Sequence, residues 1–390
     1  MFKLIKKKAS LIIRSKEGLN NYFYTYLKIA ILNIFQAEKY VVLKIKNIHE
    51  ILPTEKLKEG YSYKSSTQNN IDVIIPDLNL YMLKDALINS RSSAIVANSY
   101  LFYEPINKNE RFNEGFIQYH NTKNAVLKIG NPIEISEGFF LAGNGSFNWY
   151  HWLIEILPKI IFYKKEYSVN ILVDHSCKEI KSMADSLAVF CENLNINIIY
   201  LDPERTYKVR KLFFINEVNK YMFNALDLNA VAFPLYYYRK ESLLNVGDLL
   251  KSKYHFENKS AIKIFLERRE THRIPQNQNE VVELLKQYDF TAVDLSTLNI
   301  TEQINTINNS KYIVGTSGAA FTNIIFCNPS STVLIFTPDN YDNHKLFGEM
   351  AALLDIKLNY LYYENDSGDH EQSNFRIDLN ALKLKLENIE

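Results

Sequence analysis

The sequence predicts an α/β protein built as two domains that face each other across a cleft. Three observations carry this expectation. The chain has 390 residues, which is long for a single core. Its second half alternates short apolar runs with helical stretches of about ten residues, the pattern of βαβ units on a parallel sheet. A similar alternation begins after Trp149 in the first half.

Composition narrows the class. Hydrophobic content of 47% and charged content of 23% describe an ordinary globular chain. Lys+Arg of 45 against Asp+Glu of 44 leaves a net charge of +1, which argues against nucleic acid as a partner, because that grip needs a basic face. Three scattered cysteines, Cys177, Cys191 and Cys327, suit a reducing compartment and give no disulfide framework. The eight histidines form no ligand-spaced cluster, so no metal is expected.

Taken in order, the N-terminus is basic (Lys3, Lys6, Lys7, Lys8), but the apolar run at 11–13 is too short for a signal-peptide core. Residues 22–35 read as a helix interrupted by Lys28, short of the ~20 residues that span a bilayer. Packing on the first domain is the expectation, with peripheral docking on an anionic membrane surface as the alternative. Localisation is accordingly expected in the cytoplasm, with contact at the inner face of the membrane in that alternative.

Strand candidates follow at 41–45, 72–75, 94–97, 125–129 and 139–142. After Trp149 come a helix to about 163, a strand at 170–173, a helix at 177–194, and strands at 197–201 and 211–215. The aromatic segment 233–238 and a helix to about 253 lead into the second domain. There the reading is strand 261–266, helix 279–288 opened by an Asn cap, strand 291–295, helix 301–308 capped by Thr301, and strands 312–315 and 332–336. A helix at 343–354, a strand at 358–362 and a tail helix at 379–389 complete it. The domains are placed at 1–235 and 236–370, with 371–390 packing back across them. A ligand would then sit between the domains, at the carboxyl ends of the strands.

Three constellations could carry chemistry. In Asn148-Trp149-Tyr150-His151-Trp152, Asn148 is a suitable N-cap, and His151 lies one helical turn from Glu155. A carboxylate beside an imidazole fixes its tautomer and raises its basicity, as a general base requires. The competing reading is a structural pair on a helix whose tryptophans are core. Arg268 and Arg269 end the first strand of the second domain, where forked guanidinium groups can hold a diphosphate, unless they are simply solvated in a loop with His272 and Arg273. Gly315 to Asn323 reads as strand, glycine turn and helix start. Small residues at Gly318, Ala319 and Ala320 would let a phosphate reach the unpartnered amides, with Ser317, Thr322 or Asn323 adding side-chain donors. A purely structural turn is the alternative. Neither a Gly-x-Gly-x-x-Gly after a strand nor a Gly-Lys-Ser/Thr loop occurs, which disfavours nicotinamide and P-loop chemistry.

The order Asn148-Trp149-Tyr150-His151-Trp152-Leu153-x-Glu155-x-Leu157-Pro158, Arg268-Arg269, Asn279-Glu280-x-Val282 and Val314-Gly315-x-x-Gly318-Ala319-x-x-Thr322-Asn323 resembles the family 61 glycosyltransferases. The similarity covers roughly residues 139–360. The resemblance implies a GT-B arrangement of two Rossmann-like domains and an inverting, metal-independent sugar transfer. The donor would be a nucleoside diphosphate sugar, UDP-linked. The acceptor would be a glycan or lipid-linked glycan in bacterial surface polysaccharide assembly, such as capsule. Arg268, Gly318, Thr322 and Asn323 carry over as donor contacts, and His151 or Glu155 as catalytic candidates, with Asn148, Trp149 and Tyr150 on the acceptor side. Members of the family often have a histidine where this chain has Ser317, which can donate a hydrogen bond but adds no charge. That departure keeps a rival reading open: a catalytically idle glycan-binding or scaffolding subunit. A sugar-nucleotide epimerase on the same architecture is a third.

Overall fold

Continuous apolar runs in the second half and mixed ones in the first separate into two principal sheets. The computed structural model describes residues 39–167, 169–192, 196–227, 232–253, 262–269, 274–338, 345–364 and 375–388. The basic N-terminus with the 22–35 helix, and His272 with Arg273, lie outside the described residues.

The strands of the first half are β1 (Lys39–Asn47), β2 (Glu55–Lys58), β3 (Tyr61–Ser65), β4 (Ile71–Ile75), β5 (Leu78–Ile88), β6 (Ile95–Ala97), β7 (Tyr100–Tyr103), β8 (Ile117–His120), β9 (Asn124–Ile129) and β10 (Ile133–Leu141). They continue as β11 (Asn170–Asp174), β12 (Ile198–Leu201), β13 (Tyr207–Ile215), β14 (Lys220–Tyr221) and β15 (Tyr236–Tyr237). The second half contributes β16 (Ile262–Leu266), β17 (Phe290–Val293), β18 (Ser310–Thr316), β19 (Thr332–Pro338) and β20 (Lys357–Tyr363).

The larger sheet has 11 strands. Its parallel part runs β12-β11-β10-β13, so β10, the first of these in the chain, lies between the second and the fourth. From β13 the sheet turns antiparallel into β5 and continues β6-β7-β1-β9-β8, with only β7 and β1 parallel. The smaller sheet is wholly parallel, in the order β17-β16-β18-β19-β20. This is a doubly wound order whose direction reverses between β16 and β18, the place where such sheets bind ligands.

Alternation along the strands assigns each face. Ile313, Val333 and Ile335 point into a core shared with Phe139, Leu141, Leu153, Ile154, Phe213 and Ile215 of the first half, so one hydrophobic layer runs between the two sheets. Val314, Leu334 and Phe336 point the other way, under the helices Gln278–Lys286 and Leu379–Glu387. Both faces of β19 are thereby covered and all seven of its residues are buried, as expected of a central parallel strand. In the first half, Phe140, Leu172, Leu212 and Phe214 form a further core with Tyr81 and Ile88 of β5.

Several local expectations need correction. The helix after Trp149 is not a regular α-helix: it is a π-helical turn, His151–Ile156, followed by a 3-10 segment, Leu157–Phe162. Pro158 has no amide to offer Ile154, whose carbonyl accepts from Asn219 Nδ2 at 2.7 Å instead. The helix at 177–194 is two, Ser176–Glu179 and Lys181–Cys191, because Ile180 is extended. Asn299, not Thr301, caps Ile300–Asn308, in a reciprocal box with Glu302. The helix Gln278–Lys286 begins after Asn277, whose side chain bonds the Ile377 backbone and does not cap. The strand β5, in the middle of the large sheet, had no counterpart among the expected elements.

Candidate active site

The turn between β10 and the π-helical segment fixes His151. Gly145 has φ of +73°, and any side chain there would run into the imidazole ring. Asn148 Oδ1 accepts from the Tyr150 amide at 2.9 Å, and its carbonyl accepts from the Trp152 amide at 2.9 Å, which starts the helical turn. His151 Nδ1 then lies 2.6 Å from Glu155 Oε2. A carboxylate accepts there, so in the neutral imidazole the proton sits on Nδ1 and Nε2 offers the lone pair. The other carboxylate oxygen of Glu155 accepts from the Tyr221 amide, so Glu155 is fixed at both ends. The rings of Tyr150, Tyr221 and Phe223 surround the imidazole.

An ionic network, buried except at His49, lies behind this pair. Lys220 Nζ is 3.3 Å from Glu110 and donates to Tyr103 at 2.9 Å; Tyr103 donates to Glu110 at 2.7 Å. Lys159 pairs with Glu217 at 2.8 Å, and His49 with Glu104 at 3.1 Å. Burial pushes the Glu110 carboxyl up, against the pull of Lys220. Burial would lower Lys220, but the surrounding carboxylates, led by Glu110 and Glu217, outweigh it and raise it. The hydrogen bond to Glu104 raises His49. Glu104 itself is driven up by burial and, more strongly, down by its partners, His49 first among them. None of these groups was singled out in the sequence, where each stands alone and looks like a surface residue.

In the second half, the turns after β16 and β18 meet at the point where the strand order reverses. Arg268 Nη2 donates to the Ser317 carbonyl at 2.9 Å. Gln278 Nε2 donates to the Arg268 carbonyl at 3.0 Å and its Oε1 accepts from the Arg268 amide at 3.4 Å, so the backbone of this arginine is clamped. A side chain at Gly318 would overlap the Arg268 guanidinium. Gly318 opens the 3-10 segment Ala319–Phe326, whose first amides, at Ala319 and Ala320, have no intrahelical partner. The hydroxyl of Thr322 is buried without a partner among the described residues. Ser317 holds Arg268 through its carbonyl, a contact that does not depend on its side chain. Gln278 is the contributor that sequence reasoning missed; a glutamine at a helix start carries no signal of its own.

The remaining expected residues are placed differently. Arg269 is exposed and pairs with Glu267 at 2.8 Å. Asn323 is buried, accepts from Trp149 Nε1 at 2.9 Å and donates to Gln303 at 3.3 Å. The Tyr150 hydroxyl bonds that of Tyr238 at 2.7 Å in a buried site that pushes its pKa well up. The bond between Trp149 and Asn323 thus joins the two halves. Among the described residues no three His, Cys, Asp or Glu side chains form a metal-binding group. Nor is any helix among them long and apolar enough to cross a membrane.

The imidazole–carboxylate pair is tied to the segment after the arginine-backed glycine turn through Trp149 and Asn323, and comparison with known proteins supports a glycosyltransferase. Residues 149–334 match the family model Glycosyltransferase 61, a span that begins at Trp149 and holds His151, Glu155, Arg268 and the Gly318 turn. No curated protein matches the chain.

Proposed function

We propose that this protein is an inverting, metal-independent glycosyltransferase that uses a UDP-linked sugar and a glycan or lipid-linked glycan acceptor in bacterial surface polysaccharide synthesis. The two halves act as the domains of a GT-B arrangement, the first (1–235) for the acceptor and the second (236–370) for the nucleotide. The observation that carries the reading is the meeting of Arg268 with the Ser317–Gly318 turn at the reversal point of the parallel sheet. A guanidinium beside a turn whose first amides lack intrahelical partners suits a leaving diphosphate, whose charge grows in the transition state. His151 Nε2 takes the proton of an acceptor hydroxyl, that oxygen attacks the anomeric carbon from the face opposite the diphosphate, and the nucleoside diphosphate leaves. Glu155 balances the charge on the imidazolium so formed. The work is done in the cytoplasm, with the basic N-terminus able to touch an anionic membrane surface.

The test is a thermal-shift screen against UDP, GDP, CMP and their sugars, with Mg²⁺ and with EDTA. A ligand that binds only the native state raises its stability, by ~2.7 kcal/mol at a hundred times its dissociation constant. Stabilisation by UDP that persists in EDTA and is lost in Arg268→Ala supports the reading. No stabilisation by any nucleotide favours the idle subunit.

A further inference from the structure

A cavity in the first half takes no part in the site described above. From it we infer that an open cleft of about 410 Å³ in the first half, lined by Arg91, Glu114, Gln118 and Asn131, is a carbohydrate subsite that holds the sugar chain of the acceptor. The inference rests on the glycosyltransferase reading.

Glu114 connects the cleft to the candidate base. It lines the cleft, its Oε2 accepts from the Gly145 amide at 2.9 Å, and Gly145 packs against the His151 ring. All the lining residues come from the first half, so the cleft is separate from the Arg268–Gly318 turn. Its volume is within the roughly 300–1,000 Å³ of small-ligand sites. Its chemistry is that of sugar recognition: amides, a guanidinium and a carboxyl group can donate to and accept from hydroxyls in fixed directions.

Arg91 is held ready for such a ligand. Its Nε donates to Asp174 at 3.3 Å and its Nη2 to Ser176 at 3.2 Å, while Asp174 is buried and accepts from Ser90 at 2.5 Å. The guanidinium lies 4.4 Å over the ring of Phe147. A side chain already fixed in this way loses little freedom on binding. Phe147, which carries this guanidinium on its ring, is itself 43% exposed and lies four positions before His151. Burial pushes the Glu114 carboxyl up.

Gly130 supplies the test. It lines the cleft, and an added Cβ there meets nothing within 4 Å, so a side chain at 130 starts in open space and Gly130→Trp is the substitution to obstruct the cleft. The full chain is incubated with an extract of its source cells as acceptor and with radiolabelled UDP-glucose, UDP-galactose or UDP-N-acetylglucosamine. Transfer into glycan, hydrolysis of donor without extract, and donor binding are read in parallel. Gly130→Trp is expected to cut transfer tenfold or more with hydrolysis and donor binding unchanged. Gln118→Ala is expected to raise the acceptor KM several-fold at constant kcat. Wild-type transfer in both variants overturns the proposal, as does a parallel loss of donor binding. A wild-type protein that neither binds nor consumes any of the donors overturns the glycosyltransferase reading, and this inference with it.

Discussion

The indole N–H of Trp149 donates to Asn323 Oδ1 over 2.9 Å, tying the turn that carries His151 to the segment that follows Gly318. Asn323 is buried and also donates to Gln303, so its amide is spent on holding the two halves in register.

Asn323→Ala leaves the Trp149 and Gln303 groups without that partner, and an unmade buried bond costs about 1–3 kcal/mol. Urea unfolding should show a loss of that size. Trp149→Phe combined with Asn323→Ala should be less than additive, with a coupling of ~1 kcal/mol. Strict additivity would mean that the bond does not join the halves.

Gly318 separates site from fold. Its φ of 164° is extended backbone that any residue adopts, so Gly318→Ala adds no backbone strain and should cost no more than the one hydrogen bond of Arg268, about 1.5–3 kcal/mol. The added methyl nevertheless overlaps the Arg268 guanidinium and must displace it. Calorimetric titration with UDP should therefore show affinity lowered about tenfold, a change of ~1.4 kcal/mol. Unchanged affinity would remove the turn from the donor site.

The second half was legible because β19 and the carboxyl ends of β16 and β18 are buried and read as apolar runs, at 264–266, 312–314 and 333–336. Arg268 and Gly318 were expected from the sequence at the ends of two of these strands, and the strand order, which only the structure gives, brings them together. The helix caps were less legible, since Asn299 and Thr301 are equally good residues and only the reciprocal bond to Glu302 decides between them. The strand β5 was hidden because Lys84 and Asp85 interrupt its apolar run, and Asp85 takes a positive φ of 52°. The ionic network was beyond reach: His49, Glu104, Glu110, Lys159, Glu217 and Lys220 converge only through the topology of the large sheet.

That network sets a pH dependence. His49 has its pKa raised above the ordinary 6.5 by Glu104, so the folded state holds this proton more tightly than the unfolded chain. The stability it contributes is complete below 6.5 and is lost as pH rises through the folded value. His49→Gln should flatten the fall in unfolding free energy on the alkaline side of 6.5, measured by urea titrations at successive pH values. An unaltered slope would exclude His49 as its source.

Lys159 and Glu217 are both buried and 2.8 Å apart. Removing one charge strands the other, at a cost of about 3–5 kcal/mol. Lys159→Met should fall in this range by urea unfolding, and adding Glu217→Gln should recover much of the loss. A double variant no more stable than the single one would contradict the pairing.

The most direct test of the central claim is ³¹P NMR of UDP-sugar consumption in EDTA, for wild type, His151→Ala and Arg268→Ala. The account predicts release of UDP by wild type in the presence of source-cell extract. It predicts a rate lower by about 10²–10⁴ in His151→Ala, the range for loss of a general base, with UDP binding retained. Arg268→Ala should lose binding and turnover together. UDP release at the wild-type rate by His151→Ala, or no release by wild type from any donor, would contradict it.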